Sequence, residues 1–301
     1  MVAPAVDPRP LVFAYLASLV GESVLFGLLV LLFSQTIYLI VRRPSKTAKG
    51  RPSAVRYLVS IPFLSAVTLC ILALVHWILT FSRAFFAFTQ LQNTDTERAF
   101  FADLARPDSV AKNALYLVGL TLADAIVVHR LWIVWNKRCL VALLPILATL
   151  GGGVLCAMTI LELTHCKIDD PNGCKHGISH WGMPWYALTI FTNFYSTGLI
   201  IRRIQAVSSS APDSTVSSPG GSTSLMKFLS ILVESAALQT TWVSLTFIVI
   251  AANSDAEFFF VDTFLAVASI SAVLLHARVA LGWACQPERE GASAGGEKES
   301  V

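Results

Sequence analysis

The stretch LVGESVLFGLLVLLFSQTIYLIV at residues 19–41 decides the class of this protein. It contains a single charged residue, Glu22, and it is followed at 42–56 by six basic residues and no acidic one. A helix of about 20 mostly apolar residues crosses the hydrocarbon core of a bilayer, and basic residues collect on the cytosolic side of such helices. The stretch therefore predicts a membrane-spanning helix whose carboxyl end faces the cytosol.

The composition of the whole chain agrees with this interpretation. Of 301 residues, 55% are hydrophobic and 14% are charged, whereas a soluble domain has roughly 45–50% apolar residues, glycine included, and about 25% charged residues. A soluble protein of this length could not bury so much apolar surface. The net charge of +3, from 22 basic and 19 acidic residues, is too balanced to indicate nucleic-acid binding.

Seven apolar runs of spanning length occur between charged or turn-forming segments, at 19–41, 57–80, 113–135, 139–161, 184–204, 228–252 and 260–284. They predict an all-α, seven-helix membrane bundle over residues 1–284, followed by a disordered tail at 285–301 that is rich in glutamate and small residues. The loops at 42–56, 137–138 and 202–227 are basic, whereas the charges of the loop at 81–112 are balanced. This alternation places the amino terminus outside and the carboxyl terminus in the cytosol, and the plasma membrane is the expected location. The first run is too long, and too basic on its downstream flank, for a cleaved signal peptide.

Five segments together resemble an abundant family of seven-helix membrane proteins in basidiomycete fungi. They are GESVLFGLLVLLF at 21–33, VHW at 75–77, ADAIVVHRLWIVW at 123–135, TNFYSTGLIIRRI at 192–204 and VESAALQTTW at 233–242. The resemblance implies a seven-helix fold with the layout of G-protein-coupled receptors, but it implies no particular activity.

Ionisable residues inside a membrane are expensive, so those in the predicted spans are functional candidates. Arg130, Glu234 and His276 lie about 8, 9 and 12 Å from the predicted inner ends of their helices, at 1.5 Å per residue. They are therefore expected to meet. We predict an ion pair between Arg130 and Glu234 whose separation opens a cytosolic cleft. The alternative is a static link between helices, or an arginine that reaches lipid phosphates beside a protonated glutamate.

The remaining candidates lie elsewhere in the spans. Asp124 faces a different neighbour from Arg130. Asn193 lies at a depth similar to that of Asp124, which predicts a hydrogen bond between Asn193 and a protonated Asp124. The functional alternative for Asp124 is a ligand contact, a cation contact or a proton relay. Glu22 and His76 are expected near the outer ends of their helices, where they would line a vestibule, although a lone histidine is more often structural. His129 is the last of these candidate residues inside the predicted spans.

Cys166 and Cys174 share a predicted outer loop, and the oxidising environment there favours a disulfide. The same loop offers His165, His176 and His180, so a zinc site is the alternative, but the two cysteines lack the close spacing of structural zinc ligands. We therefore assign no metal site.

The sequence leaves three functions open. The first is a receptor-like protein that couples a small-molecule ligand outside to a cytosolic heterotrimeric G protein. The second is a carrier or channel for a small solute or proton, for which no internal repeat is visible. The third is an intramembrane metal hydrolase that uses His76, Asp124, His129 and His276. No cofactor is expected, because the last span has no lysine for retinal and the chain has no glycine-rich phosphate loop. A non-enzymatic role is favoured, and the lipid bilayer is the expected surroundings of the protein.

Overall fold

The computed structural model describes residues 9–42, 58–90, 94–165, 171–209, 221–252, 254 and 256–284. These residues form helices and contain no strand. The helices are α1 (Arg9–Val41), α2 (Ile61–Gln90), α3 (Thr94–Ala102), α4 (Pro107–Val134), α5 (Cys139–His165), α6 (Pro171–Ser209), α7 (Gly221–Ala251) and α8 (Glu257–Ala284). The prediction of an all-helical protein is confirmed over this part of the chain.

The seven long helices form a closed ring. Going round it, α1, α2, α4, α5, α6, α7 and α8 each pack against the next, and α8 packs against α1. Two helices also make contacts across the ring, since α4 packs against α6 and α8, and α8 packs against α2. We call the end that contains the first residues of α1, α4 and α8 the outer end and the opposite end the inner end, after their predicted sides.

The helix α8 is the most enclosed of the apolar helices. Its middle is rich in small side chains that are buried, including Ala266, Ala268 and Ser269. Small residues let helix backbones approach closely inside a membrane. The same device occurs on α4, where Gly119 lies so close to the Leu265 side chain that a Cβ atom there would overlap it. Close packing therefore fixes α8 against α4.

Six of the helices are long and apolar enough to cross a bilayer: α1, α2, α4, α5, α7 and α8. Their exposed surface is apolar, as expected for contact with lipid, and includes Phe13, Val24, Leu31, Leu147, Leu150 and Val154. A multi-pass membrane architecture follows. The predicted span at 184–204 lies within α6, which has 39 residues. Over its described residues α6 is not among the six, and its buried face carries Thr189, Thr192, Asn193 and Ser196. The seventh span stays a prediction, as does the orientation.

The predicted loop at 81–112 is largely helical, which corrects the sequence interpretation. The helix α2 continues to Gln90, α3 follows, and α4 begins at Pro107. Proline suits the first position of a helix because its missing N–H would have no partner there. As a result Arg83 and Lys112, which the hydropathy pattern assigned to a loop, belong to the helices of the bundle.

Some predictions fall outside the described residues. Cys166 and the tail at 285–301 lie there, as do residues 210–220 of the predicted loop at 202–227. Only the backbone of Cys174 is described. The disulfide and its zinc alternative therefore stay predictions.

Candidate functional site

A buried ion pair connects α4 to α8 near the outer end. The Lys112 ammonium lies 2.7 Å from Asp262 Oδ1, and the two side chains are only 6% and 1% exposed. The other carboxylate oxygen of Asp262 accepts a hydrogen bond of 2.8 Å from Ser18 Oγ on α1. Lys112 and Asp262 each lie five residues into their helix, about 7.5 Å from its start. Three helices thus meet at one carboxylate.

A second group of charges lies beside this pair. Arg83 on α2 is 4% exposed and its Nη1 lies 3.2 Å from Asp108 Oδ2. Asp108 is shared, because its other oxygen accepts a hydrogen bond of 3.2 Å from Arg106 Nε. The Phe100 ring of α3 covers both cations, with its centroid 4.2 Å from the Arg106 guanidinium carbon and 5.5 Å from that of Arg83. An aromatic face attracts a cation at such distances. We call Ser18, Arg83, Arg106, Asp108, Lys112 and Asp262 the outer charge cluster.

A small cavity of about 10 Å³ opens inside this cluster, close to the space that one water molecule needs. Its lining comprises Tyr15, Thr80, Arg83, Ala84, Phe88, Phe101 and Lys112. The helix α3 closes the cavity, since the Phe101 ring stacks on the Tyr15 ring at 4.3 Å and the Phe101 carbonyl accepts a hydrogen bond of 3.2 Å from the Tyr15 hydroxyl. Two buried cations and three aromatic rings therefore border one enclosed space.

One helical turn further along α1 from Ser18, towards the middle of the bundle, Glu22 pairs with His76. Glu22 Oε1 lies 2.7 Å from His76 Nδ1, and both side chains are buried. Their remaining polar atoms, Glu22 Oε2 and His76 Nε2, have no hydrogen-bond partner among the described residues. The predicted vestibule position is wrong, because α1 and α2 extend further outward than the apolar runs. Each residue lies about 20 Å from the outer end of its helix, at 1.5 Å per residue.

The predicted contact between Asp124 and Asn193 is confirmed. Asn193 Nδ2 donates a hydrogen bond of 2.8 Å to Asp124 Oδ1, and both residues are buried. Two turns further out, the hydroxyls of Tyr116 and Tyr186 lie 2.8 Å apart. These polar bridges connect α4 to α6. The Asn193 Oδ1 atom has no hydrogen-bond partner among the described residues, so this bridge is not saturated.

At the inner end, the predicted ion pair between Arg130 and Glu234 is not formed. Glu234 instead accepts two hydrogen bonds from Arg278 on α8, at 2.5 and 2.9 Å. The Arg130 Nε atom is buried with no hydrogen-bond partner among the described residues. The physical reason is which helices are neighbours. Glu234 is on α7, which packs against α6 and α8, so a cation on α8 is closer to Glu234 than one on α4. We call Glu234 and Arg278 the inner ion pair.

The histidines are also separated. His276 Nε2 lies 3.1 Å from the Pro62 carbonyl at the start of α2, so His276 does not join Glu234. The His129 ring lies 6.1 Å from the Trp132 ring and is partly exposed. Within the described residues no three histidine, cysteine or acidic side chains are grouped to hold a metal ion. The four residues of the hydrolase hypothesis are thus not brought together.

The outer charge cluster, which is the most connected of these sites, was therefore not predicted from the sequence. Arg83 and Lys112 looked like loop charges, and Asp262 was not singled out although it lies inside the last predicted span. A periodic signal was present, because Lys112 continues the spacing of three or four residues that links the buried positions Tyr116, Leu120 and Ala123 of α4. His76, Thr80 and Arg83 show the same spacing on α2. Extending the helical period past the apolar runs would have found both cations.

No protein-family model matches the chain, and no curated protein or solved structure is significantly similar to it. The resemblance to the fungal seven-helix family stays a prediction.

Proposed function

We propose that this protein is a receptor-like signal transducer of the membrane. The observation that carries the proposal is that one helix belongs to both charged sites. The helix α8 contributes Asp262 to the outer charge cluster and Arg278 to the inner ion pair, 16 residues apart, or about 24 Å along the helix axis. A ligand that changes the contacts of Asp262 acts directly on the helix that binds α7 at the other end.

The two sites differ in the way that such coupling requires. Within the outer charge cluster, the Lys112–Asp262 pair is buried and, with Ser18, joins α1, α4 and α8, so it holds α8 firmly. The inner ion pair is exposed, with 33% of the Arg278 side chain and 63% of the Glu234 side chain accessible. Exposed ion pairs contribute little to stability, so this pair is free to open when α8 moves. An element with two arrangements, biased from both ends, is the physical basis of coupling between distant sites.

The expected cytosolic partner is a heterotrimeric G protein. The test is guanine-nucleotide exchange by an added Gα subunit with purified protein in detergent, comparing wild type, Glu234→Gln and Glu162→Gln. Glu162 lies in α5, outside both charged sites. Opening the inner ion pair should populate the signalling state, so Glu234→Gln is expected to raise exchange above wild type and Glu162→Gln to leave it unchanged. Exchange no faster than with empty micelles for every form would refute the proposal.

A second candidate, a carrier for a small solute or proton, is favoured by the interior polar atoms. Thr192 Oγ1, Asn193 Oδ1 and Ser196 Oγ on α6, with Gln239 Nε2 on α7, are buried and have no hydrogen-bond partner among the described residues. Buried polar atoms are normally satisfied, so unsatisfied polar atoms inside the bundle favour a path for a polar solute. Proton or solute flux into liposomes that is lost in Asp124→Asn and kept in Glu162→Gln would support this function over the first.

A further inference from the structure

We propose that the outer charge cluster is the binding site of a small organic carboxylate, which Arg83 holds beneath α3. The inference deepens the proposed function, because it names the ligand class of the receptor, and it rests on that function for its role in signalling. Binding of the ligand depends only on the residues of the outer charge cluster and the cavity beside them.

Arg83 is the residue that points most directly to a ligand. Its guanidinium is buried at the edge of the cavity, and Nη1 has no hydrogen-bond partner among the described residues. Asp108 is close enough to attract it, at 3.2 Å, but the two groups are not aligned for a hydrogen bond. A buried donor without an acceptor is costly. A ligand oxygen in the cavity would supply the acceptor, and a carboxylate matches the fork of an arginine with two oxygens.

Charge also favours an anionic ligand. The ion pairs of the outer charge cluster join three cations, Arg83, Arg106 and Lys112, to two carboxylates, Asp108 and Asp262. These pairs hold more positive than negative charge, which favours an anion. The smaller carboxylate suits a cavity of about 10 Å³ better than phosphate does.

The lining of the cavity is mainly apolar. Apart from its two cations and Thr80 it consists of Tyr15, Ala84, Phe88 and Phe101, which suits an apolar body attached to the carboxylate. The cavity has space for about one ligand oxygen. The body of the ligand must then occupy the place where Phe88 and Phe101 meet, with their rings 6.3 Å apart. Binding would thus displace α3, which covers the site from outside.

The test uses the full-length protein in detergent and measures equilibrium binding of radiolabelled benzoate, with benzamide as the uncharged molecule of equal shape. Acetate and inorganic phosphate compete in separate arms. We expect saturable benzoate binding that acetate displaces, that benzamide does not displace, and that phosphate displaces poorly. Losing one charge-assisted hydrogen bond should weaken binding by about ten- to a hundredfold in Arg83→Gln. Arg202→Gln, which removes an exposed arginine of α6 outside both charged sites, should bind as wild type does.

The proposal is overturned if no carboxylate binds, if benzamide competes as well as acetate, or if Arg202→Gln loses as much affinity as Arg83→Gln. Phosphate binding without carboxylate binding would also overturn it and would assign a different oxyanion. If Arg83→Gln does not fold, Arg83→Lys is used, since it keeps the charge but loses the fork and should still weaken binding. The failure of the proposed function is seen separately, as normal benzoate binding without any change in nucleotide exchange.

Discussion

Replacing Lys112 by methionine tests whether the outer charge cluster is part of the protein interior. Lys112 and Asp262 lie 2.7 Å apart with side chains 6% and 1% exposed. The substitution therefore leaves a buried carboxylate whose one remaining partner among the described residues is the Ser18 hydroxyl. Removing one member of a buried ion pair costs about 3–5 kcal/mol. At about 1.4 kcal/mol per factor of ten, the unfolding equilibrium constant should rise by about a hundred- to several thousandfold.

The assay is unfolding of the purified protein by sodium dodecyl sulfate in mixed micelles, followed by tryptophan fluorescence. Asp262→Leu alone should destabilise to a similar degree. The double variant with Lys112→Met should be more stable than either single one, because no uncompensated charge is left. Arg278→Met, in the exposed inner ion pair, is the control and should have a much smaller effect. If Lys112→Met changed stability no more than this control, the pair would be solvated and the argument for a buried site would fail.

Three further predictions concern packing, polar bridging and orientation. Gly119→Ala should destabilise the protein by about 1–3 kcal/mol, because its methyl group overlaps Leu265. Gly153→Ala has nothing within 4 Å and should be neutral or stabilising by up to about 1 kcal/mol; equal effects in the same unfolding assay would contradict this. Asn193→Leu should destabilise by about 0.6–1.7 kcal/mol through the lost bridge from α6 to α4, and an unchanged unfolding midpoint would exclude that bridge. Cys139 is exposed in the first turn of α5, on the predicted cytosolic side, so in a variant whose other five cysteines are replaced by serine a membrane-impermeant maleimide should label it only after cells are permeabilised; labelling of intact cells would reverse the orientation.

The helices were predictable because their cause is local. Apolar runs of spanning length fix where the chain must be helical, since a bilayer offers no partners for free backbone groups. The ends of the helices were less predictable. The hydropathy pattern stops at the first charge, whereas α2 and α4 continue outward past Arg83 and Lys112 because those charges find partners inside the bundle.

Long-range pairing was harder still. Depth along a helix can be counted from the sequence, and this was enough to match Asp124 with Asn193. By depth alone, Arg130 was also a reasonable partner for Glu234. The pair is decided by which helix lies beside α7 in the plane of the membrane. That helix is α8, and its Arg278 binds Glu234 instead. Nothing local in the sequence connects Ser18 with Asp262, which are 244 residues apart. Such contacts depend on how the ring closes.

The closure of the ring by α8 has a consequence for how the protein is made. A ribosome delivers helices in chain order, so Lys112 enters the membrane with α4 when its counter-ion, 150 residues later in the sequence, has not yet been synthesised. Inserting an unpaired lysine costs about 2.5–3.5 kcal/mol at the centre of a helix. Lys112 lies near the end of α4, which lowers this cost because its ammonium can stay at the membrane interface until α8 is inserted. The nascent chain therefore has to wait, incompletely assembled, for its last helix, and chaperones or quality-control factors of the membrane would meet this protein with that lysine still unpaired.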